Sequence, residues 1–268
     1  MLFRSPLDVN LSDMLFAYGM RVNSCIVMDE QCLQVPVDVA AEGQEPEFRS
    51  LPWHYAPLLL VSSTSPITRG IGPIMSALCS AVDLVGTARQ LHTEWLVSGS
   101  ASCRIIPTPA RVDLSPQSVD DTHYDIQYVP IGATLEGPFT SAFAHRLLPD
   151  SINTNTPRRN DGVPTRQAII ATSSIMRGEQ QQGQPLPLGY DRFSGHQFSN
   201  RQLLVNTVLY LAGHEQWIDP HNRNITLRLL SRQTIRRQAT LYRWLCVGLP
   251  LALLALFAIA FNTLRRKR

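Results

Sequence analysis

The residues that could do chemistry in this chain are few, and their spacing suits none of the familiar reactions. In DDTHYD (120–125) one histidine stands among carboxylates that could hold a metal ion, but no second histidine lies at helical spacing beside it. A lone acidic loop of this kind reads as a solvated face. SGSAS (98–102) comes nearest to a nucleophile elbow, yet it lacks the second glycine of G-x-S-x-G and reads as a strand end giving way to a turn. His196, His214 and His221 flank the last helical pattern without ligand spacing. The five cysteines (Cys25, Cys32, Cys79, Cys103, Cys246) include no C-x-x-C pair, so zinc-ribbon and thioredoxin-type chemistry are out of reach. Cys25 and Cys32 could pair in an oxidising compartment, although buried free thiols are the simpler reading. Cys79 and Cys103 lie in apolar or strand-end contexts with no adjacent histidine to activate them. Lys267 is the sole lysine, so a G-x-x-x-x-G-K-[ST] phosphate loop cannot be built. The sequence predicts no catalytic residue, no metal and no cofactor.

One stretch remains as a candidate binding or interaction loop. GQPLPLGYDRFSG (183–195) sits between a buried strand and a helix, the usual ligand position in a layered α/β fold. There Tyr190 and Phe193 could stack on a ligand while Asp191 and Arg192 orient it. In the plainer reading the prolines hold an extended path, the glycines make turns, and Asp191 pairs with Arg192 or nearby amides.

The elements that must position these residues follow from periodicity. Leu11, Met14, Leu15 and Tyr18 at helical spacing, stopped by Gly19, predict a first helix. SCIVMD, APLLLVSS (56–63), EWLVSGSAS (94–102) and RQAIIATSSIM (166–176) read as strands, and YDIQYVPIGATLEG (124–137) as an alternating strand, then a turn. TRGIGPIMSALCSA (68–81) reads as a turn into a short helix. Asn200 reads as the N-cap of a helix carrying Leu203, Leu204, Thr207, Val208 and Leu211, and NITLRLLS (224–231) as a last strand. Residues 149–165 read as a flexible polar loop. Strands alternating with helices predict an α/β fold, a layered domain with a mainly parallel or mixed sheet. A first helix with little before it to pack on suggests an absent upstream half, which makes this the C-terminal half of a larger two-part α/β region.

Charge is distributed unevenly. Beyond Asp219 there are nine Arg, one Lys and no acid (+10), whereas the first 219 residues hold 14 Arg against 21 acids (−7). An acidic body argues against nucleic-acid binding. Residues 244–264 form 21 uncharged positions, about 31 Å as a helix, and predict one C-terminal transmembrane helix. Trp244 would anchor it at one interface and Arg265, Arg266, Lys267 and Arg268 at the other. Arg232, Arg236, Arg237 and Arg243 form a basic collar for anionic headgroups or for an acidic permease surface. The start carries no signal-peptide pattern. Taken as complete, the chain would be tail-anchored with a cytoplasmic body; taken as part of something longer, its body could lie outside.

Several motifs occur together in order: LSDMLFAYGMRVNSCIVMDEQC (11–32), LPWHYAPLL with SPITRGI, GATLEGPFTSAFAHR (132–146), PLPLGYDRFSGHQFSNRQLLVNTVLYLAG and WIDPHNRNITLRLLSR. In this order they closely resemble the C-terminal half of the GldG family, gliding-motility-associated auxiliary or substrate-binding components of ABC transporters. The resemblance implies permease and ATP-binding subunits as partners, an inner-membrane location, a periplasmic body and a cytoplasmic RRKR tail. It departs from the family pattern at the front, where a membrane helix and a first α/β half would stand. The domain organisation expected is 1–32 as the end of an upstream α/β unit, then 33–230 as an extracytoplasmic α/β domain. A basic juxtamembrane segment (231–243), the membrane helix (244–264) and a cytoplasmic tail (265–268) complete it. The function implied is that of a membrane-anchored, non-enzymatic accessory subunit serving gliding or export. The alternatives are a carbohydrate- or peptide-binding module using the Tyr190 loop and, on fold analogy alone, a hydrolase-like enzyme.

Overall fold

The computed structural model describes residues 2–4, 9–40, 44–86, 91–113, 124–141, 144, 160–218 and scattered helical positions between 244 and 265. It divides into two compact units, Met1–Asn224 and Ile225–Arg268. The first unit begins with β1 (Leu2–Arg4), α1 (Ser12–Ala17), β2 (Met20–Val22), β3 (Cys25–Asp29), β4 (Cys32–Asp38) and β5 (Phe48–Val61). Then come β6 (Ile74–Met75), β7 (Val82–Leu84), β8 (His92–Ser98), β9 (Cys103–Pro107), β10 (Ala110–Val112) and β11 (Pro130–Gly137). It ends with β12 (Thr165–Ile170), β13 (Gln180–Gln181), β14 (Gln184–Pro185) and α2 (Asn200–Leu211).

The fold is mainly β and antiparallel, which corrects the expected α/β architecture with a parallel or mixed sheet. A six-stranded sheet runs β12-β11-β8-β5-β4 with β6 beside β5, and four two-stranded ladders pair β1–β10, β2–β7, β3–β9 and β13–β14. Every ladder among the described residues is antiparallel. Parallel neighbours need a crossover of about a dozen residues, usually a helix. Here α1 has six residues and α2 is the one long helix of the first unit among the described residues, so the chain turns back on itself instead.

The expected transmembrane helix (244–264) is not shown either, and ten of its 21 positions lie outside the described residues. Among the described residues no helix is long and apolar enough to cross a membrane. The strand expected at 224–231 lies outside the described residues, as does the polar loop from 149 to 159.

Two apolar layers sandwich the β11–β12 end of the sheet. On one side Val27, Leu59, Leu96, Ile131 and Leu203 meet in the main core. On the other, Met20, Val82, Leu135 and Phe139 pack together, with Tyr18 edge-on to Phe139 at 5.5 Å between ring centres. Each such buried side chain contributes about 1.5–3 kcal/mol relative to exposure.

α2 holds its place by burying Leu203, Thr207 and Tyr210 at helical spacing. Its start differs from expectation: Ser199 is the N-cap, and Asn200 is already helical. The Asn200 amide donates to the carbonyls of Met75 (2.8 Å) and Ile175 (3.3 Å) and accepts from Met75 N–H (2.9 Å). Ser199 Oγ accepts from Gly72 N–H at 3.0 Å. Gly189, at φ +83°, lets this corner close, since an added Cβ would stand 2.9 Å from the Asn200 side chain. Gly213 at φ +75° ends the helix, with His214 N–H donating to Leu209 O at 2.8 Å. The short helix expected within 68–81 does not form; β6 and a bend at Leu78 (φ +52°) replace it.

Candidate functional site

The loop singled out from the sequence is a tight turn that satisfies itself. Tyr190 bridges Gln197, Asp191 N–H donates to His196 O (2.9 Å), and Gly195 N–H donates to Asp191 O (2.8 Å). The Asp191 carboxylate is turned inward and accepts from Phe193 N–H (3.0 Å), Ser194 N–H (3.3 Å) and the Ser194 hydroxyl. Arg192 lies over the half-exposed Phe193 ring, 4.7 Å from its centre, with its Nε 4.0 Å from Glu179. The four residues are thus together, with backbone amides as the partners of Asp191, and Phe193 is the group left facing outward.

A second cluster joins residues that no local pattern connects. Asp29 is fully buried and accepts from Ser100 N–H (2.6 Å), Ser100 Oγ–H (2.5 Å), Gln31 N–H (2.8 Å) and Cys103 Sγ (3.4 Å). His54 Nδ1 bonds the Asp29 carbonyl at 2.9 Å. Serine, aspartate, histidine and cysteine together suggest nucleophilic chemistry, but the wiring is structural. The Ser100 hydroxyl donates directly to the carboxylate, so no histidine stands between them to take its proton. Burial first, and then the Asp29 charge, push the Cys103 and Cys32 thiols up to about 12. Burial takes Cys79 to about 11. These thiols stay protonated at neutral pH and make poor nucleophiles. Gly99 permits the turn, since an added Cβ would stand 2.4 Å from Cys103 Sγ. SGSAS is therefore the end of β8 and a turn tied to Asp29. Residues 120–123 of the acidic run lie outside the described residues, and no metal-holding cluster occurs among the described ones.

A feature with room for a ligand lies elsewhere, at the β12 end of the sheet. A cavity of about 870 Å³ has Ala168, Ile169 and Ile170 along its floor. Leu204, Thr207 and Val208 of α2 form one wall, while Leu11 and Leu15 form the other with residues 22–26. Its volume falls within the about 300–1,000 Å³ of small-ligand sites. None of the described lining residues is charged. Among the described residues β12 is the last strand of its sheet. Ala171 N–H donates to Ile131 O at 2.9 Å and Ile169 lies opposite Ala133, so alternation turns the N–H and C=O groups of Ala168 and Ile170 away from β11.

Two cations near the cavity are neutralised in place. Arg21 pairs with Asp83 at 2.8 Å, and its hydrogen bond, with that of Asn23, holds the Asp83 carboxyl below the usual range. Arg166 sits between Glu136 (3.0 Å) and Glu215, 4.5 Å from the centre of the Tyr210 ring. Tyr210 O–H donates to Glu136 Oε2 at 3.1 Å. Burial alone would raise the Glu136 pKa, but the hydrogen bonds from Arg166 and Tyr210 outweigh it and leave the carboxyl below its ordinary value.

A family model described as an ABC-type uncharacterized transport system matches residues 2–207. The chain belongs to this family of ABC transport auxiliary components. The match takes in the β12 floor of the auxiliary component's cavity and every named wall residue except Val208. Comparison with curated proteins and with solved structures finds no match. Of the basic residues assigned to a membrane interface, Arg265 is helical and exposed. Arg232, Arg236, Arg237, Arg243, Arg266, Lys267 and Arg268 lie outside the described residues.

Proposed function

We propose that this auxiliary component is a non-enzymatic binding subunit that works beside the permease and ATP-binding subunits of its transporter. The observation that carries the reading is the uncharged cavity at an open sheet edge, a place built to hold something rather than to transform it. The protonated thiols and the self-satisfied Asp29 cluster support it. The ordered GldG-like motifs support a narrower version, in which the subunit serves gliding or export with its body on the periplasmic side of the inner membrane. The 190–193 loop, with Phe193 outward, offers a second contact for a partner subunit.

Purification of the tagged full-length protein from native membranes tests the reading: permease and ATP-binding subunits should accompany it. Recovery of the chain with neither subunit would defeat it. Protease added to spheroplasts should digest a periplasmic body, and a body that survives until the cells are lysed would place it inside.

A further inference from the structure

We infer that the β12 edge takes up an uncharged, extended peptide segment as an added strand, with its apolar side chains entering the cavity between α1 and α2. The inference rests on the binding-subunit reading and supplies its ligand class.

Hydrogen bonding sets the shape of the occupant. No strand pairs with β12 on its outer side among the described residues, yet Ala168 and Ile170 both direct amide and carbonyl groups there. Backbone donors and acceptors repeating every second residue, about 6.6–6.8 Å apart, match another strand and little else. The walls set the side chains. Leu204 and Val208 stand on one side of the edge, Leu11 and Leu15 on the other. A strand laid between them would meet apolar surface with both of its faces.

Charge sets the composition. No described lining residue is charged, and two cations beside the cavity are paired, Arg21 with Asp83 and Arg166 with Glu136 and Glu215. A charged segment would lose its hydration here without gaining a counter-ion, whereas a neutral segment is complementary. An acyl chain would suit the walls but would leave the outward groups of Ala168 and Ile170 without a partner.

The probe is acetyl-Thr-Val-Thr-Val-Thr-amide, titrated into the full-length chain while hydrogen exchange is followed residue by residue. It should slow exchange at Ala168 and Ile170 by about tenfold or more and leave β4 unchanged. The same peptide N-methylated at alternate residues should have no effect. Ala168→Pro removes an N–H that faces away from β11, so it should abolish the response while retaining the far-ultraviolet circular dichroism of the folded chain. Equal binding of the N-methylated peptide would overturn the inference, since the backbone would then not be read. So would protection of Ala168 and Ile170 in a concentration-dependent dimer without peptide, or binding of dodecanol with the peptide inert. In any of these outcomes, continued co-purification of wild type with the transporter subunits would leave the binding-subunit reading standing.

Discussion

The two edges of the six-stranded sheet are treated in opposite ways. At β4, Pro36 offers no amide hydrogen, and the ladder to β5 slips between Cys32 and Gln34. Its end is closed by Asp38 Oδ1, which accepts from both Ala40 and Glu47 N–H at 3.0 Å. Proline, irregularity and charge are the usual means of keeping an edge from pairing with another chain. At β12 none of these occurs between Gln167 and Ile170, the register with β11 is unbroken, and the outer side borders an apolar cavity. One edge is blunted and the other, among the described residues, is unpaired and unprotected, so the two edges of one sheet differ in how they meet another chain.

The largest effects should come from removing the anchor of each end. Leu203→Ala empties a fully buried position behind β12 and should cost about 2–5 kcal/mol in urea unfolding. Asp29→Ala strands the donors of Ser100 and Gln31 on the β4 side and should cost about 2–3 kcal/mol. Hydrogen exchange should accelerate around β12 in the first variant and around the β3–β4 turn in the second. Equal loosening of both ends by both variants would break the comparison.

A smaller effect belongs to the β12 end alone and depends on pH. Burial, and then the hydrogen bond to Glu136, push the Tyr210 phenol up to about 12. An unfolded tyrosine titrates near about 10. The folded chain therefore holds this proton more tightly, and the resulting stability is complete below about pH 10 and lost as pH rises from about 10 to about 12. Glu136 acts with the opposite sign: its lowered carboxyl stabilises above its unfolded value and ceases to as pH falls through the folded one. Melting temperatures across pH should show a steeper alkaline fall in wild type than in Tyr210→Phe. The smallest expected change in stability, within about 0.5 kcal/mol, is that of Pro36→Val, where the informative readout is self-association by sedimentation. A variant that stays monomeric would show that Pro36 is not what protects the β4 edge.

The comparison also shows what the sequence could and could not convey. α1, β3, β8, β12 and α2 were legible from periodicity, whereas β11 forms after the alternating stretch 124–129 that reads as its strand. Strand direction was not legible, because β3 and the middle of β11 are buried on both faces and so carry the continuous apolar runs typical of parallel strands. The run IMSALCSA imitates a short helix, yet side chains from distant segments claim its backbone. Ser174 Oγ accepts from Ala77 N–H at 2.7 Å, and Asn200 Oδ1 from Met75 N–H at 2.9 Å. For the binding surface, Asp191 followed by Ser194 signalled a turn, which is what its carboxylate makes. The cavity had no signature at all, since its floor and walls come from segments whose apolar residues look like ordinary core. The Asp29–Ser100 pair spans 71 residues and is equally silent in the sequence.

The corner where Ser199 and Asn200 hold residues 72–75 has a consequence for how the protein is made. Met75 leaves the ribosome 125 residues ahead of the side chain that satisfies its amide and its carbonyl. At about 5–20 residues per second that is a wait of roughly 6–25 s. Throughout it β6 has no helix to lean on, so this corner locks only after α2 has been made and stays open to a chaperone until then.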